Sequence, residues 1–111
     1  MRNPENRIGN VLHLYAQPYW HAEAFISGER EALMKLRDTI TVALHDGLAA
    51  CDLSAADGEG YSVHVVCMRP DDAERQSVPY TDECAKDQSG GNFGPWDTVL
   101  TGPTKQLTRN P

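Results

Sequence analysis

Residues 27–30 are of types that can bind an anion. Ser27, Gly28 and Glu29 come directly before a helical pattern, and Arg30 follows them. Free backbone amides at a helix N-terminus, with a guanidinium beside them, bind phosphate or carboxylate groups. The same residue types also form an ordinary N-cap without a ligand, so both interpretations stay open.

A second polar group is the string Asp57-Gly58-Glu59-Gly60-Tyr61. Its two carboxylates can accept hydrogen bonds from a ribose, an amine or an arginine, and Tyr61 can stack on a ring. The string is equally typical of a hairpin turn that leads into a strand. It lacks the GxGxxG pattern and the Lys-Ser/Thr ending of phosphate-binding loops.

Histidine and cysteine side chains form the third group of candidate residues. His21 and Glu23 would share one face of an extended segment and could form an acid-base pair, although such pairs are usually surface contacts. The four histidines and three cysteines show no close ligand pairs, so we predict no metal, no cofactor and no catalytic residue. An odd number of cysteines also predicts reduced thiols.

The element that must position these groups is a helix predicted from Ser27 to Gly47. Ser27 or Gly28 is the expected N-cap, and Gly47 is the expected left-handed end. The residues expected on its buried face recur at helical spacing and are Leu33, Leu36, Ile40, Ala43, Leu44 and Gly47. A neighbouring stripe contains Arg30, Met34, Arg37, Thr41 and His45, and such a stripe can border a ligand groove or a subunit interface.

Strands are expected on both sides of this helix. Alternating patterns predict strands over residues 8–15 and 19–26, joined as a hairpin. After Gly47, Cys51 and Leu53 alternate with polar residues, and residues 61–68 form the most β-branched run. Asp57-Gly58 favours a hairpin between these two segments, whereas a plain loop over residues 48–60 would make the helix a crossover into a parallel strand.

These elements predict an α+β fold. We expect a mainly antiparallel sheet of about four strands in the order ββαββ, with the long helix packed on one face. Residues 1–85 would form a single domain, and residues 86–111 a polar C-terminal tail or arm. Both faces of the last strand are apolar, which predicts that a second subunit or the tail covers the bare face, and hence a homo-oligomer of two or more copies.

The charge balance limits the partners. Ten Lys and Arg against sixteen Asp and Glu give a formal net charge of -6, which argues against direct nucleic-acid binding and against an anionic membrane surface. No segment approaches the roughly 18 apolar residues of a membrane span, and the N-terminus has no signal-peptide pattern. We therefore expect a cytoplasmic protein.

Four segments together resemble a group of small uncharacterised proteins from bacteriophages and from prophage regions of proteobacteria. They are Trp20-His21-Ala22-Glu23-Ala24-Phe25-Ile26-Ser27-Gly28-Glu29-Arg30-Glu31-Ala32-Leu33, Leu36-Arg37-Asp38-Thr39-Ile40, Asp57-Gly58-Glu59-Gly60-Tyr61 and Pro79-Tyr80-Thr81-Asp82-Glu83. The resemblance covers roughly residues 10–84 and rests on an overall pattern without a catalytic signature. It implies a bacterial host cytoplasm and a counter-defence role by binding.

The leading hypothesis from the sequence is a non-enzymatic sponge that sequesters an ADP-ribose-like or cyclic nucleotide immune signal. Phosphate would be bound by Ser27, Gly28, Glu29, Arg30 and Arg37, and ribose or amine groups by Asp57 and Glu59. Tyr61 or Trp20 would stack on the base, and His21 is a further ligand-binding candidate. One alternative is an anti-CRISPR-like acidic inhibitor that blocks a host defence protein. The other is a small nucleotide hydrolase with His21, Glu23 or a carboxylate of the glycine string as its base.

Overall fold

A computed structural model of the chain describes residues 7–88, 94, 95 and 97. The elements follow the order β1 (Leu12–Tyr15), β2 (Phe25–Gly28), α1 (Arg30–Asp46), β3 (Leu48–Ser54), β4 (Gly60–Val66) and α2 (Pro70–Glu74), followed by a 3-10 helix (Glu83–Gln88). The predicted α+β class and the ββαββ order are confirmed. The strands pair as two antiparallel two-stranded sheets.

β1 and β2 form the predicted opening hairpin, with different bounds. Leu12 pairs with Gly28, and Tyr15 with Phe25. β1 cannot begin at residue 8, because Gly9 and Asn10 have positive φ angles of 76° and 56°, which are incompatible with an extended strand. The predicted second strand over residues 19–26 is wrong for residues 19–24, where the Ala22 amide donates to the Tyr19 carbonyl in a turn.

α1 begins later than predicted, and its buried face is only partly the predicted one, since Leu36 and Ala43 are buried as expected. Ser27 and Gly28 belong to β2, so Glu29 is the N-cap, whereas Gly47 is the predicted left-handed cap at φ 95°. The buried stripe consists of Ala32, Leu36, Thr39 and Ala43. Of the residues expected in the core, Leu33, Ile40 and Leu44 are instead exposed, at 40%, 40% and 69%.

Small side chains explain this orientation of the helix. α1 packs mainly against β3, and Ala32, Thr39 and Ala43 allow a closer approach than leucine or isoleucine would. The Thr39 hydroxyl is satisfied within the helix, since it donates to the Lys35 carbonyl at 2.8 Å. A hydroxyl with such a partner can be buried at little cost.

β3 and β4 form the predicted hairpin, and the crossover alternative is wrong. The turn is closed by the Ala55 amide, which donates to the Glu59 carbonyl at 2.8 Å, and Gly58 has a φ of 95°. Cys51, Leu53, Tyr61, Val63 and Val65 point to the core around Leu12, Ala32 and Leu36. An isolated parallel bridge between Val11 and Ser54 places β1 beside β3.

The chain divides into two compact units, and the core above belongs to the one formed by Met1–Tyr15 and Ala24–Val65. The other comprises Ala16–Glu23 and Val66–Pro111. There, the Asp82 amide donates to the Pro18 carbonyl at 2.8 Å, the Asp82 carboxylate accepts the Cys84 amide, and Ala85 is fully buried. The proposed domain boundary at residue 85 stays a prediction, and the predicted tail over residues 86–111 lies mostly outside the described residues.

No helix in the described part of the chain is long and apolar enough to cross a lipid bilayer.

Gly28→Ala tests the close contact between β2 and β1. A Cβ at this position would lie 2.6 Å from the Val11 carbonyl oxygen and 3.0 Å from the Leu12 Cα, both backbone atoms. We expect a loss of about 1–3 kcal/mol in the free energy of unfolding, measured by urea titration. Gly60→Ala is the control, since its Cβ would meet only the Leu53 carbonyl oxygen at 3.8 Å. Equal effects of both substitutions would contradict the close contact.

Candidate functional site

Glu29 joins the start of α1 to the start of β1. One carboxylate oxygen accepts the Val11 amide at 3.0 Å, and the other accepts the Arg7 guanidinium at 2.9 Å. The Glu29 amide donates to the Val11 carbonyl at 3.0 Å. The Val11 amide and then the Arg7 guanidinium lower the pKa of Glu29 below its ordinary value of 4.5. Glu29 is therefore engaged through both its side chain and its backbone.

Gly28 and Tyr61 converge on the neighbouring residue, Leu12. Gly28 pairs with Leu12 at a distance that excludes a Cβ. The half-buried Tyr61 hydroxyl donates to the carbonyl of fully buried Leu12, across 49 positions of sequence. Burial, and secondly the nearby Cys51, raise the pKa of Tyr61 above its ordinary value of 10.0. Three predicted site residues, Gly28, Glu29 and Tyr61, are thus each engaged in an internal contact with Val11 or Leu12.

These contacts occupy part of the predicted anion site at the helix N-terminus. Ser27 lies in the ladder opposite His13, Gly28 lies opposite Leu12, and the Glu29 amide already has an acceptor. An anion at this position would also face the Glu29 carboxylate, and like charges repel. The Ser27 backbone and the Glu29 amide are therefore part of the β1–β2 junction, which leaves the side chains of Arg30 and Arg37 as the main candidates for a phosphate contact.

Arg30 and Arg37 lie on the exposed side of α1. Arg30 lines a shallow, open cavity of about 470 Å³ together with Leu33 and Met34. Arg37 is paired with its neighbour Asp38, whose carboxylate oxygen lies 2.9 Å from the guanidinium, and both side chains are exposed. An exposed pair of this kind contributes little to stability, so Arg37 is available to another anion at small cost.

The glycine string forms a hairpin turn. The Asp57 carboxylate accepts the Glu59 amide at 3.0 Å, which is a local turn contact, and the Glu59 side chain is exposed. The Ala56 amide donates to His13 Nε2 at 3.0 Å. Within residues 7–88, no hydrogen bond or ion pair joins Asp57 or Glu59 to Arg30 or Arg37.

His13 and Tyr15 were missed as a pair in the sequence. They lie on one face of β1, His13 Nδ1 is 2.6 Å from the Tyr15 hydroxyl, and the rings meet edge to face. Together with Leu12, Leu14 and Tyr61 they line a cavity of about 340 Å³. Their spacing of two residues in a strand was the available signal. His13 Nε2 accepts the Ala56 amide, so the neutral His13 ring carries its proton on Nδ1. The same hydrogen bond joins β1 to the turn between β3 and β4.

Trp20 and His21 belong to the second unit. Both are exposed, and His21 has a positive φ of 66° in the turn that the Ala22 amide closes. Tyr19 and Trp20 meet edge to face, with ring centroids 6.3 Å apart. The base-stacking role of Trp20 and the ligand-binding role of His21 stay predictions.

In the part of the chain that the structure describes, no group of three or more His, Cys, Asp or Glu side chains is arranged to hold a metal ion.

Glu29→Gln tests the carboxylate contacts at this junction. Because folding lowers the pKa of Glu29, its contribution to stability is fully present above pH 4.5 and is lost as the pH falls through the lowered folded value. We expect the variant to be less stable than the wild type at pH 7, with a difference that shrinks towards pH 3. Urea titrations across this range measure it. Glu31→Gln, an exposed first-turn carboxylate, is the control, and the same pH profile in both variants would contradict the assignment.

Tyr61→Phe tests the hydrogen bond to Leu12. We expect the free energy of unfolding to fall by about 1–3 kcal/mol, because the carbonyl of buried Leu12 loses its hydrogen-bond donor. The raised pKa of Tyr61 means that its contribution is present below pH 10 and is lost as the pH rises through the folded value. Thermal unfolding of wild type and variant between pH 7 and 11 checks both points. Tyr19→Phe, at a half-exposed ring, should change nothing.

Comparison with known proteins gives no similar family, protein or structure, so any functional conclusion rests on the geometry described above. No protein-family model matches the chain, and no curated protein or solved structure shows significant similarity to it.

Proposed function

We propose that this chain is a non-enzymatic binding protein that occupies a surface of a partner protein with the outer flank of α1, defined by Leu33, Ile40 and Leu44. The observation that carries the proposal is the exposure of these three aliphatic side chains, which reaches 69% at Leu44. Contiguous apolar exposure on a folded domain is typical of a contact surface.

Helix geometry makes the three residues one surface. The spacings of seven and four residues place them along one side of α1, over a length of about 16 Å. This arrangement is typical of helices that dock into an apolar groove of another protein. The side chains that flank it, Arg30 and Arg37, favour a groove with acidic groups on its rim.

The resemblance to phage and prophage proteins suggests the class of partner. Small proteins of that kind often block host defence proteins, so a bacterial defence protein is the proposed target. Because the exposed flank of α1 is apolar, we favour the inhibitor alternative over the nucleotide sponge. A net charge of -6 by itself would predict an acidic contact surface. The outer flank of α1 is instead apolar and bordered by arginines.

Sequestration of a nucleotide is the second candidate, and the cavity beside Arg30 favours it. A guanidinium can bind a phosphate, while Leu33 and Met34 provide an apolar wall for a base or ribose. The cavity is open, and the amide of Glu29 is already bound to Val11. The ligand would therefore be held by side chains, with fewer contacts than an enclosed site provides.

A photo-crosslinking amino acid at position 44 tests the main proposal in bacteria that carry an active defence system. We expect a specific crosslinked partner from position 44 and none from position 38, because Asp38 lies away from the outer flank. With that partner purified, Leu44→Lys should weaken binding by about tenfold or more, whereas Asp38→Lys should leave it unchanged. Leu44 is exposed, so its substitution should keep the unfolding free energy within about 0.5 kcal/mol. Full binding by Leu44→Lys would refute the proposal.

Mass spectrometry under native conditions, repeated after denaturation, tests the second candidate on protein from the same cells. Intact release of a nucleotide-sized mass, absent from an Arg30→Ala variant, would establish sequestration. A protein without such a mass would leave the protein-binding proposal as the one supported.

A further inference from the structure

Strand β2 lies at an edge. It pairs with β1 through the register from Leu12 opposite Gly28 to Tyr15 opposite Phe25. The bridge from Val11 to Ser54 occupies the other side of β1. β1 therefore has neighbours on both sides, whereas one side of β2 has no strand partner among the described residues.

The phase of the ladder shows which backbone groups face outward. The Glu29 amide donates to Val11, which makes the opposed residues 11 and 29 a hydrogen-bonded pair. Such pairs alternate in an antiparallel ladder, so Phe25 and Ser27 bond to β1. The N–H and C=O groups of Ile26 and Gly28 consequently point away from β1, towards the open edge.

The side chains around this edge are apolar on both faces of the hairpin. Leu14 and Ile26 form one cross-strand pair, and Tyr15 and Phe25 form the next, with 47–59% of each residue exposed. The sequences of β1 and β2 contain no Lys, Arg, Asp, Glu or Pro. Natural edge strands usually carry such residues, which prevent pairing with another chain.

We propose that a second copy of this chain pairs with β2, edge to edge and antiparallel, to make a two-fold symmetric dimer. Each copy carries a net charge of -6, so the repulsion between two copies is smallest where the contacting strands carry no charged side chain, and β1 and β2 provide such a surface. An antiparallel strand pair about a two-fold axis is self-complementary. A contact through the outer flank of α1 would instead bring Arg30 and Arg37 towards their own copies.

Ile26→Pro is the direct test, with mass measured by light scattering over a dilution series of the full chain. Proline removes only the outward N–H, which the β1 ladder does not use, and edge strands tolerate it at such positions. The two-fold axis places the substitution in both strands of the contact. We therefore expect the dissociation constant of the dimer to rise by at least about tenfold. Ile26→Lys is the second variant and leaves the backbone intact. Leu44→Lys is the control and should stay dimeric, with circular dichroism reporting the fold of each variant.

The proposal is supported if the wild type and Leu44→Lys are dimers and an Ile26 variant is a folded monomer. A wild type that stays monomeric at tens of micromolar overturns it. So does a dimer that survives Ile26→Lys or that Leu44→Lys dissociates, because the contact then lies elsewhere on the chain. If Ile26→Pro unfolds, the Ile26→Lys result decides.

Discussion

The contacts at Val11 and Leu12 determine how the first unit is assembled. Both backbone groups of Val11 bond to Glu29, one through the carboxylate and one through the amide. At Leu12, the carbonyl accepts the Tyr61 hydroxyl, and the Cα meets Gly28 too closely for a side chain. These contacts tie the start of β1 to the start of α1 and to β4. They also place Leu12, which is fully buried, in the centre of the core.

This junction has a consequence for binding. Residues 28 and 29 have the composition of an anion site, yet the structure uses the Glu29 amide and carboxylate to close the hairpin onto the helix. A polar group that satisfies a buried backbone group has little capacity left for a ligand. The groups that remain available are side chains on the exposed side of α1, above all Arg30 and the aliphatic residues of the outer flank.

The orientation of α1 creates this available surface. A helix places its smallest side chains where it approaches a neighbouring strand most closely, and here these are Ala32, Thr39 and Ala43 against β3. Leucine and isoleucine at the adjacent helical positions then face outward. The helix therefore has two apolar stripes, of which one packs internally and the other is proposed to contact a partner. The edge of β2 is a separate surface, so the proposed self-association and the proposed partner contact use different parts of the chain.

The sequence by itself determined the α+β class, the order of elements and the end of α1 at Gly47, and it favoured the hairpin at Asp57-Gly58 over a crossover. These features depend on local preferences, such as the positive φ that glycine adopts freely and the alternation of apolar residues in a strand. Only the tertiary structure decided which face of α1 is buried, because that depends on how closely β3 approaches. It also assigned Gly28, Glu29 and Tyr61 to contacts with β1, since their partners lie 16 to 49 positions away and no local pattern encodes such pairings.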